Sequence, residues 1–344
     1  MPSVYVGMSG GIDSSVAAFL IKSSNFETTG ITFVGPEEEG SKKCCSIEEV
    51  QNAKKVCDFL GIRHKIINLK DIFETKIINY FINSYKNGLT PNPCIYCNRF
   101  IKFGALLEYA ISEGANFFAT GHYARIEKVS GELLIKRGID PQKDQSYFLS
   151  YIEPEKLKYI KLPLGTYVKN EIKKLASDNN LPIDSNRPES QDICFVKDDY
   201  RNFLTKKGVK ENKGEFIHNG KIVGYHRGIP FYSFGQRRGL NIAVGERIFI
   251  NGFDVEKNRI LIGEKPVSSK FNVIKLNIFS KNFKDGEYEV QFRYQSQPEK
   301  CMVNIKENFI TVTLFKEREL ITPGQFAVFY KNDYIYASGE IDLK

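Results

Sequence analysis

The spacing of apolar residues changes twice along the chain. In the first third, short apolar runs alternate with helical stripes. Val4 to Met8 is a compact apolar strand, followed by a glycine turn and a helix from about Ser14 to Lys22. Residues 28–34 form a second strand. Ile47, Val50, Ala53, Cys57 and Leu60 recur every three or four residues, which predicts a helix, and Ser46 with Glu49 opens it as a capping box. A third strand spans 64–69. Ile77, Ile78, Phe81, Ile82 and Tyr85 mark a helix over about 71–87, a further helix covers 99–113, and Ala115 to Thr120 is the next strand. Strands separated by helices predict a parallel sheet covered on both faces, the α/β doubly wound, Rossmann-like arrangement.

Near Lys206 the texture becomes polar and glycine-containing through residue 216, then short strands follow to about Gly263. From about Phe271 the period is two. Tyr288, Val290, Phe292 and Tyr294 alternate with Glu289, Gln291, Arg293 and Gln295, and residues 303–315 and 326–330 continue the pattern. This predicts a C-terminal antiparallel β-barrel. The expected domains are therefore 1–205, a small central unit at 206–266, and the barrel at 267–344; a chain of 344 residues has room for two or three.

At 42% hydrophobic and 26% charged, the chain can bury real cores and is no disordered segment. No apolar run approaches membrane-spanning length, and the N-terminus does not read as a signal peptide. The seven cysteines (44, 45, 57, 94, 97, 194 and 301) are odd in number, which points to the cytoplasm, with thiols available for chemistry or metal. Cys57 lies on an apolar helix face and Cys301 in a strand pattern, so both read as core. A net charge of +8 suits a polyanionic partner such as nucleic acid.

The strongest local signal is Gly7, Met8, Ser9, Gly10, Gly11, Ile12, Asp13, Ser14 and Ser15, placed between the first strand and the first helix. Glycines let the backbone turn and approach a ligand; the freed N–H groups make an anion site, the serines add hydroxyls, and Asp13 can hold a Mg²⁺ that bridges phosphates. The SGGxDS form resembles the pyrophosphate loop of enzymes that split ATP into AMP and pyrophosphate. That resemblance implies adenylation of a substrate oxygen, then displacement of AMP by a nucleophile.

Two cysteine segments narrow the substrate. One runs Thr90-Pro91-Asn92-Pro93-Cys94-Ile95-Tyr96-Cys97-Asn98-Arg99, with a helix expected to begin near Asn98. A thiol just before a helix N-terminus, beside Arg99 and Lys102, is expected to be acidified. The other runs Glu189-Ser190-Gln191-Asp192-Ile193-Cys194. Together with Gly121-His122-Tyr123-Ala124-Arg125, Lys143-Asp144-Gln145-Ser146-Tyr147, Leu162-Pro163-Leu164-Gly165, Phe234-Gly235-Gln236-Arg237-Arg238-Gly239 and Thr322-Pro323-Gly324-Gln325, they resemble the bacterial and mitochondrial tRNA-specific 2-thiouridylases along the whole chain.

The resemblance implies that Cys97 is the nucleophile of sulfur transfer. It implies that Cys194 carries sulfur as a persulfide and can pair with Cys97 in a disulfide. Residues 7–15, Phe33 and Gly121 would line the ATP site. Asn92 and Pro93, with Cys94, would lie near the target base. His122, Lys143, Asp144, Gln145, Arg293, Tyr294 and Gln325 would meet the anticodon stem-loop of the tRNA. A sulfur-donor or relay protein is the implied second partner, and a monomer the implied state.

Many relatives carry an aspartate where this chain has Cys94. The change creates a Cys-x-x-Cys pair, and Cys94, Cys97 and Cys194 suit the three thiolates of a [4Fe–4S] cluster with one open iron. A persulfide route with Cys94 as bystander is the alternative, and zinc a third. Gln236, Arg237 and Arg238, with Tyr225, His226, Arg227, Phe231 and Tyr232 nearby, form a basic and aromatic cluster of the kind that binds RNA. A different pyrophosphate-loop ligase and a non-catalytic RNA-binding or iron–sulfur sensor protein are the rival readings; turnover of ATP to AMP separates the last from an enzyme.

Overall fold

A computed structural model describes residues 1–36, 47–184, 193–197 and 199–343. Cys44, Cys45, the Ser46 half of the expected capping box and Glu189 to Asp192 lie outside them. The chain opens with β1 (Ser3–Gly7), α1 (Ile12–Ser23), β2 (Glu27–Val34), α2 (Ile47–Leu60) and β3 (Arg63–Asn68). After two long helical stretches come β4 (Phe117–Ala119), a hairpin of β5 (Ala124–Val129) and β6 (Glu132–Arg137), and β7 (Ile160–Lys161). The first sheet has the order β3-β2-β1-β4-β7, and every pairing in it is parallel.

The alternation of β1 splits the core in two, because successive side chains point to opposite faces. Val4 and Val6 join Val16, Ala17, Ile21, Val56 and Cys57 under α1 and α2. Tyr5 faces the other way, among Phe73, Ile77, Phe81 and Phe103 of the two long helical stretches and Phe118 of β4. The sheet is thus covered on both faces, as the period analysis predicts. Burial pushes the Cys57 thiol up to about 12, with Asp58 adding to it. It pushes Cys301, in the barrel core, to the same value. Neither thiol is a nucleophile at neutral pH.

β8 (Gly214–His218), β9 (Lys221–His226), β10 (Phe249–Asp254) and β11 (Arg259–Gly263) form a separate four-stranded sheet over its own small core of Phe216, Ile250, Ile260 and Ile262. The barrel follows. β12 (Val267–Ile278), β13 (Gly286–Gln291), β14 (Glu299–Ile305), β15 (Ile310–Glu319), β16 (Phe326–Lys331) and β17 (Tyr334–Asp342) run in the order β12-β15-β14-β13-β16-β17, and β12 pairs β17 to close it.

Three local expectations change. β13 ends at Gln291, short of the alternating pattern, and the chain turns through Gln295 at φ 61°. The β5–β6 hairpin is not anticipated by period. It turns at Ser130-Gly131, both with positive φ, and joins the edge of the barrel sheet through Tyr334 and Lys136. The helix expected from Asn98 begins at Pro93 and runs on through the segments Pro93–Cys97, Asn98–Leu106 and Leu107–Ser112. Pro93 suits the first helical position, since its missing N–H would have no partner there, and the Asn92 side chain accepts from the Ile95 N–H at 3.4 Å.

Candidate active site and RNA-facing surface

The loop after β1 is built as an anion cradle. Gly10 has φ +72°, and a Cβ on it would lie 2.7 Å from the Glu49 carbonyl oxygen, so conformation and space both demand glycine. Gly11 precedes α1 in an extended conformation and provides no side-chain cap. The first N–H groups of this twelve-residue helix are therefore left to an anion. The serines divide their labour. Ser14 and Ser15 donate to the Gly11 carbonyl, each at 2.9 Å, and so stiffen the loop rather than offering hydroxyls to a phosphate. Ser9 is exposed, with its Oγ 3.2 Å from that of Ser14. Met8 is buried, its N–H donating to Ile31 at 2.8 Å. Phe33, expected at the ATP site, stacks on Phe73 in the core at 6.2 Å.

Asp13 is the most heavily held residue of the loop. Its Oδ1 accepts from the Tyr123 hydroxyl at 2.6 Å and from Lys169 Nζ at 2.8 Å, and its Oδ2 accepts from the same ammonium at 2.9 Å. Lys169, only 9% exposed, opens the helix Lys169–Asp178, and its backbone N–H donates to the buried Asp140 carboxylate at 2.9 Å. Tyr123 is held in turn: Gln145 Oε1 accepts from its N–H at 3.0 Å, and the Gln145 N–H donates to its carbonyl at 2.8 Å. Gly121 lets this arrangement close, because a Cβ there would meet the Asp13 carbonyl carbon at 2.7 Å. The carboxylate expected to ligand Mg²⁺ is thus already neutralised by an ammonium, and the pair presents one cation and one anion at the edge of the phosphate cradle.

The cysteine helix reaches this loop through one side chain. Lys102 Nζ lies 3.4 Å from His122 Nε2, and His122 Nδ1 lies 2.8 Å from Thr120 Oγ1, next to Gly121. Burial, with Lys102 facing it, holds His122 well below the usual histidine range, so the ring is neutral. Cys94 sits in the first helical turn and Cys97 one turn further in. The helix dipole, which acts within about one turn, therefore favours the Cys94 thiolate more than that of Cys97. Arg99 turns away from the thiols. It donates to the Tyr151 carbonyl at 2.7 Å, lies 4.3 Å from that ring's centroid, and pairs with Glu153 at 3.4 Å.

Cys194 is half-buried and packs against the same apolar cluster as Cys97. Phe195 anchors its segment on Phe81, with ring centroids 5.3 Å apart. Cys57 and Cys301, in two separate cores, are free thiols. Among the described residues no group of three or more His, Cys, Asp or Glu is placed to hold a metal ion. The expected ligand set of Cys94, Cys97 and Cys194 is thus not assembled in this arrangement, nor is a zinc site.

Of the basic and aromatic cluster, Arg227, Phe231, Tyr232, Gln236, Arg237 and Arg238 line a groove of about 1100 Å³ between the central sheet, the helix Tyr200–Lys206 and the start of the barrel, whereas Tyr225 does not and His226 is buried. Arg201 is committed to Asp199 and to the Phe231 carbonyl, whereas Arg237 and Arg238 are exposed on its rim.

The sequence comparisons follow the same order. The chain matches the families described as tRNA methyl transferase HUP domain over residues 2–198, tRNA methyl transferase PRC-barrel domain over 201–264, and aminomethyltransferase beta-barrel domain over 268–341. It is 42% identical to tRNA-specific 2-thiouridylase MnmA 2 of Thermoanaerobacter sp. (strain X514), over 99% of this chain and 98% of that one. The chain belongs to the tRNA-specific 2-thiouridylase family. A second member, tRNA-specific 2-thiouridylase MnmA of Pelotomaculum thermopropionicum, is 41% identical over 98% of this chain and 97% of its own length. Among solved structures, U34-tRNA thiolase NcsA from Methanococcus maripaludis with its [4Fe-4S] cluster aligns at 21% identity and a TM-score of 0.35, over 60% of this chain and 64% of that one, a likeness too slight to carry an argument.

Several residues expected by family likeness to meet tRNA have internal work here. Asp144 accepts from Arg137 at 3.0 Å, from the Gly138 and Ser146 N–H groups and from the Ser146 hydroxyl. Gln145 holds Tyr123, His122 is 9% exposed, and Gln325 Nε2 donates to the Thr90 carbonyl at 2.9 Å. Arg293 is exposed, and its guanidinium donates to the Leu320 carbonyl and to Thr322. Lys143 and Tyr294 are half-exposed, and Tyr294 packs on Phe148 at 4.4 Å. Lys169, Tyr123 and Asp140 escape a sequence-only reading. Lys169 stands 156 residues from its partner, and only the closing of the sheet brings the two together.

Proposed function

We propose that the chain catalyses ATP-dependent 2-thiolation of the wobble uridine in the tRNA anticodon stem-loop, releasing AMP and pyrophosphate. The observation that carries the reading is the link from the cysteine helix through Lys102 and His122 to Gly121 and Asp13, which joins thiols to an open phosphate cradle. ATP enters with Mg²⁺, which supplies charge neutralisation on the phosphates. On the protein side, the amides at the start of α1 and the Lys169 ammonium receive phosphate oxygens. The target base is presented out of its stack, because a stacked uridine hides its C2 carbonyl. The C2 oxygen attacks the α-phosphorus and pyrophosphate leaves. The terminal sulfur of a Cys194 persulfide then adds to C2. Cys97 attacks Cys194 Sγ, the S–S bond to the transferred sulfur breaks, and C2=S forms as AMP departs. The resulting Cys97–Cys194 disulfide is returned to thiols by an external dithiol, and a donor or relay protein restores the persulfide. A monomer in the cytoplasm, where thiols stay reduced, fits this cycle.

The test uses protein purified without oxygen, unmodified tRNA, Mg-ATP and a persulfide donor, read by nucleoside mass. A uridine heavier by the sulfur-for-oxygen difference, formed only with ATP, is the expected product. AMP without thiolated uridine would leave the loop reading standing and sink the substrate. A second reading is a [4Fe–4S] cluster on Cys94, Cys97 and Cys194: two of its ligands stand one turn apart on the same helix, and Cys194 would have to move to join them. Iron and sulfide analysis of the same preparation separates the two, since the persulfide route requires neither.

The groove makes a further expectation. Replacing Arg237 and Arg238 together by alanine removes two exposed cations without touching the loop or the thiols. The KM for tRNA should rise, and the slope of log affinity against log salt should shrink by about 2. An unchanged slope would show that the groove does not meet the phosphate backbone.

A further inference from the structure

Tyr96, which immediately precedes Cys97 on the cysteine helix, is gripped by the C-terminal barrel. The Tyr96 hydroxyl donates to Glu340 Oε1 at 2.6 Å, across 244 residues of sequence. Glu340 lies on β17 and is 3% exposed, so its carboxylate is a buried charge that needs specific partners. Lys275 Nζ donates to Oε2 at 2.8 Å. That lysine sits at an irregularity of the β12–β17 pairing with φ 51°; a bulge of this kind re-aims a side chain, here across the barrel wall. Gly339, beside Glu340, admits the crossing, since a Cβ there would lie 2.5 Å from the Ile274 carbonyl oxygen. Burial, with Glu340 next to it, raises Tyr96 far above the usual phenol range, so it remains a donor.

The ring of Tyr96 is held as firmly as its hydroxyl. Tyr80 stacks on it at 3.6 Å and 11°, and Phe326 of β16 meets it edge-on at 6.1 Å. A second tie fixes the loop that feeds the helix. Gln325 Nε2 donates to the carbonyls of Thr90 and Pro91 at 2.9 and 3.3 Å, and the Thr90 N–H donates to Pro323 at 2.9 Å. Gly324, at φ +86°, lets the two backbones meet, because a Cβ there would lie 2.9 Å from Leu89 Cβ. A buried carboxylate, a bulged lysine and a glycine crossing thus converge on the side chain next to Cys97.

We propose that Glu340 is a positioning residue for sulfur transfer: through the Tyr96 hydroxyl, the barrel sets the turn of helix that aims Cys97. This rests on the 2-thiouridylase reading and adds a role for the barrel in chemistry as well as in holding RNA. The phosphate cradle belongs to other elements, with Asp13 held by Tyr123 and Lys169, so loss of the tie should uncouple the two half-reactions. Small misplacements of a reacting group are costly: a 1 Å shift is worth about 10²-fold.

The test compares the parent with Tyr96→Phe, which deletes one O–H and keeps the ring, and with Glu340→Gln, which keeps an acceptor oxygen. Tyr96→Phe should release pyrophosphate in the first tRNA-dependent turnover within about two-fold of the parent, while conversion of adenylated tRNA to thiolated uridine slows about ten-fold. Glu340→Gln should retain most of the coupling. Separately, the rate of Cys97 alkylation by iodoacetamide, read by peptide mass, should change in Tyr96→Phe with that of Cys194 unchanged. Equal losses of first-turnover pyrophosphate and thiolated product, or unchanged coupling and unchanged alkylation, would overturn the proposal. If the parent itself makes no thiouridine, the functional reading has failed, and the alkylation rates alone decide whether the barrel sets the helix.

Discussion

Replacing Cys97 by serine should abolish uridine thiolation, a loss on the order of 10³-fold or more, while the first tRNA-dependent release of pyrophosphate continues and adenylated tRNA accumulates. The thiol acts after adenylation, and the phosphate cradle does not touch it. Serine is nearly isosteric, and Cys97 is half-buried, so the fold should stand. Cys194→Ser should behave alike, because both sulfurs serve one transfer. Cys57→Ser is the contrast. That side chain is fully buried and its thiol is held protonated, so activity should survive while stability falls by about 1–3 kcal/mol from burying a hydroxyl. Nucleoside mass, pyrophosphate release and thermal midpoint on the three variants make the comparison. Thiolation by the Cys97→Ser protein at more than a tenth of the parent's rate would remove Cys97 from the mechanism.

Replacing Asp13 by asparagine should lower AMP formation on the order of 10²-fold, with a measurable loss of stability. The reason lies in the pair. Lys169 is nearly enclosed and Asp13 is 31% exposed, and losing the carboxylate leaves a largely desolvated ammonium without its counter-charge. Discounted for that exposure, the cost is about 1–3 kcal/mol. Asparagine still offers Tyr123 an acceptor, so the effect isolates charge from hydrogen bonding. Lys169→Met should restore part of the stability in the Asp13→Asn background and none of the activity. If the two substitutions prove additive in stability, the ion pair is not what holds the loop. If AMP formation in Asp13→Asn matches the parent, the carboxylate has no part in handling the phosphates.

Much of the catalytic half was legible before any coordinates. A parallel sheet with two covered faces follows from strands and helices that alternate with the right periods. The phosphate cradle follows from glycines at a strand end, since position and conformational freedom together leave few other uses. The barrel followed from a period of two. What escaped was local or long-range. The start of the cysteine helix was placed five residues late, because two prolines and an asparagine read as loop when they are in fact a helix cap. The β5–β6 hairpin escaped because its Ser-Gly turn is short and its strand belongs to another domain's sheet.

Residue identities and periods, then, determined which segments become strands and helices. These properties depend on neighbours within a few positions, where spacing alone dictates geometry. Only the tertiary structure decided what Asp13, Asp144, Gln145, Tyr96 and Gln325 do. A buried charge or donor takes whichever partner the packed chain delivers: Lys169 for Asp13 and Glu340 for Tyr96. Those partners lie 156 and 244 residues away, and no local pattern encodes such a meeting, because it arises only when desolvation forces each polar group to find a mate.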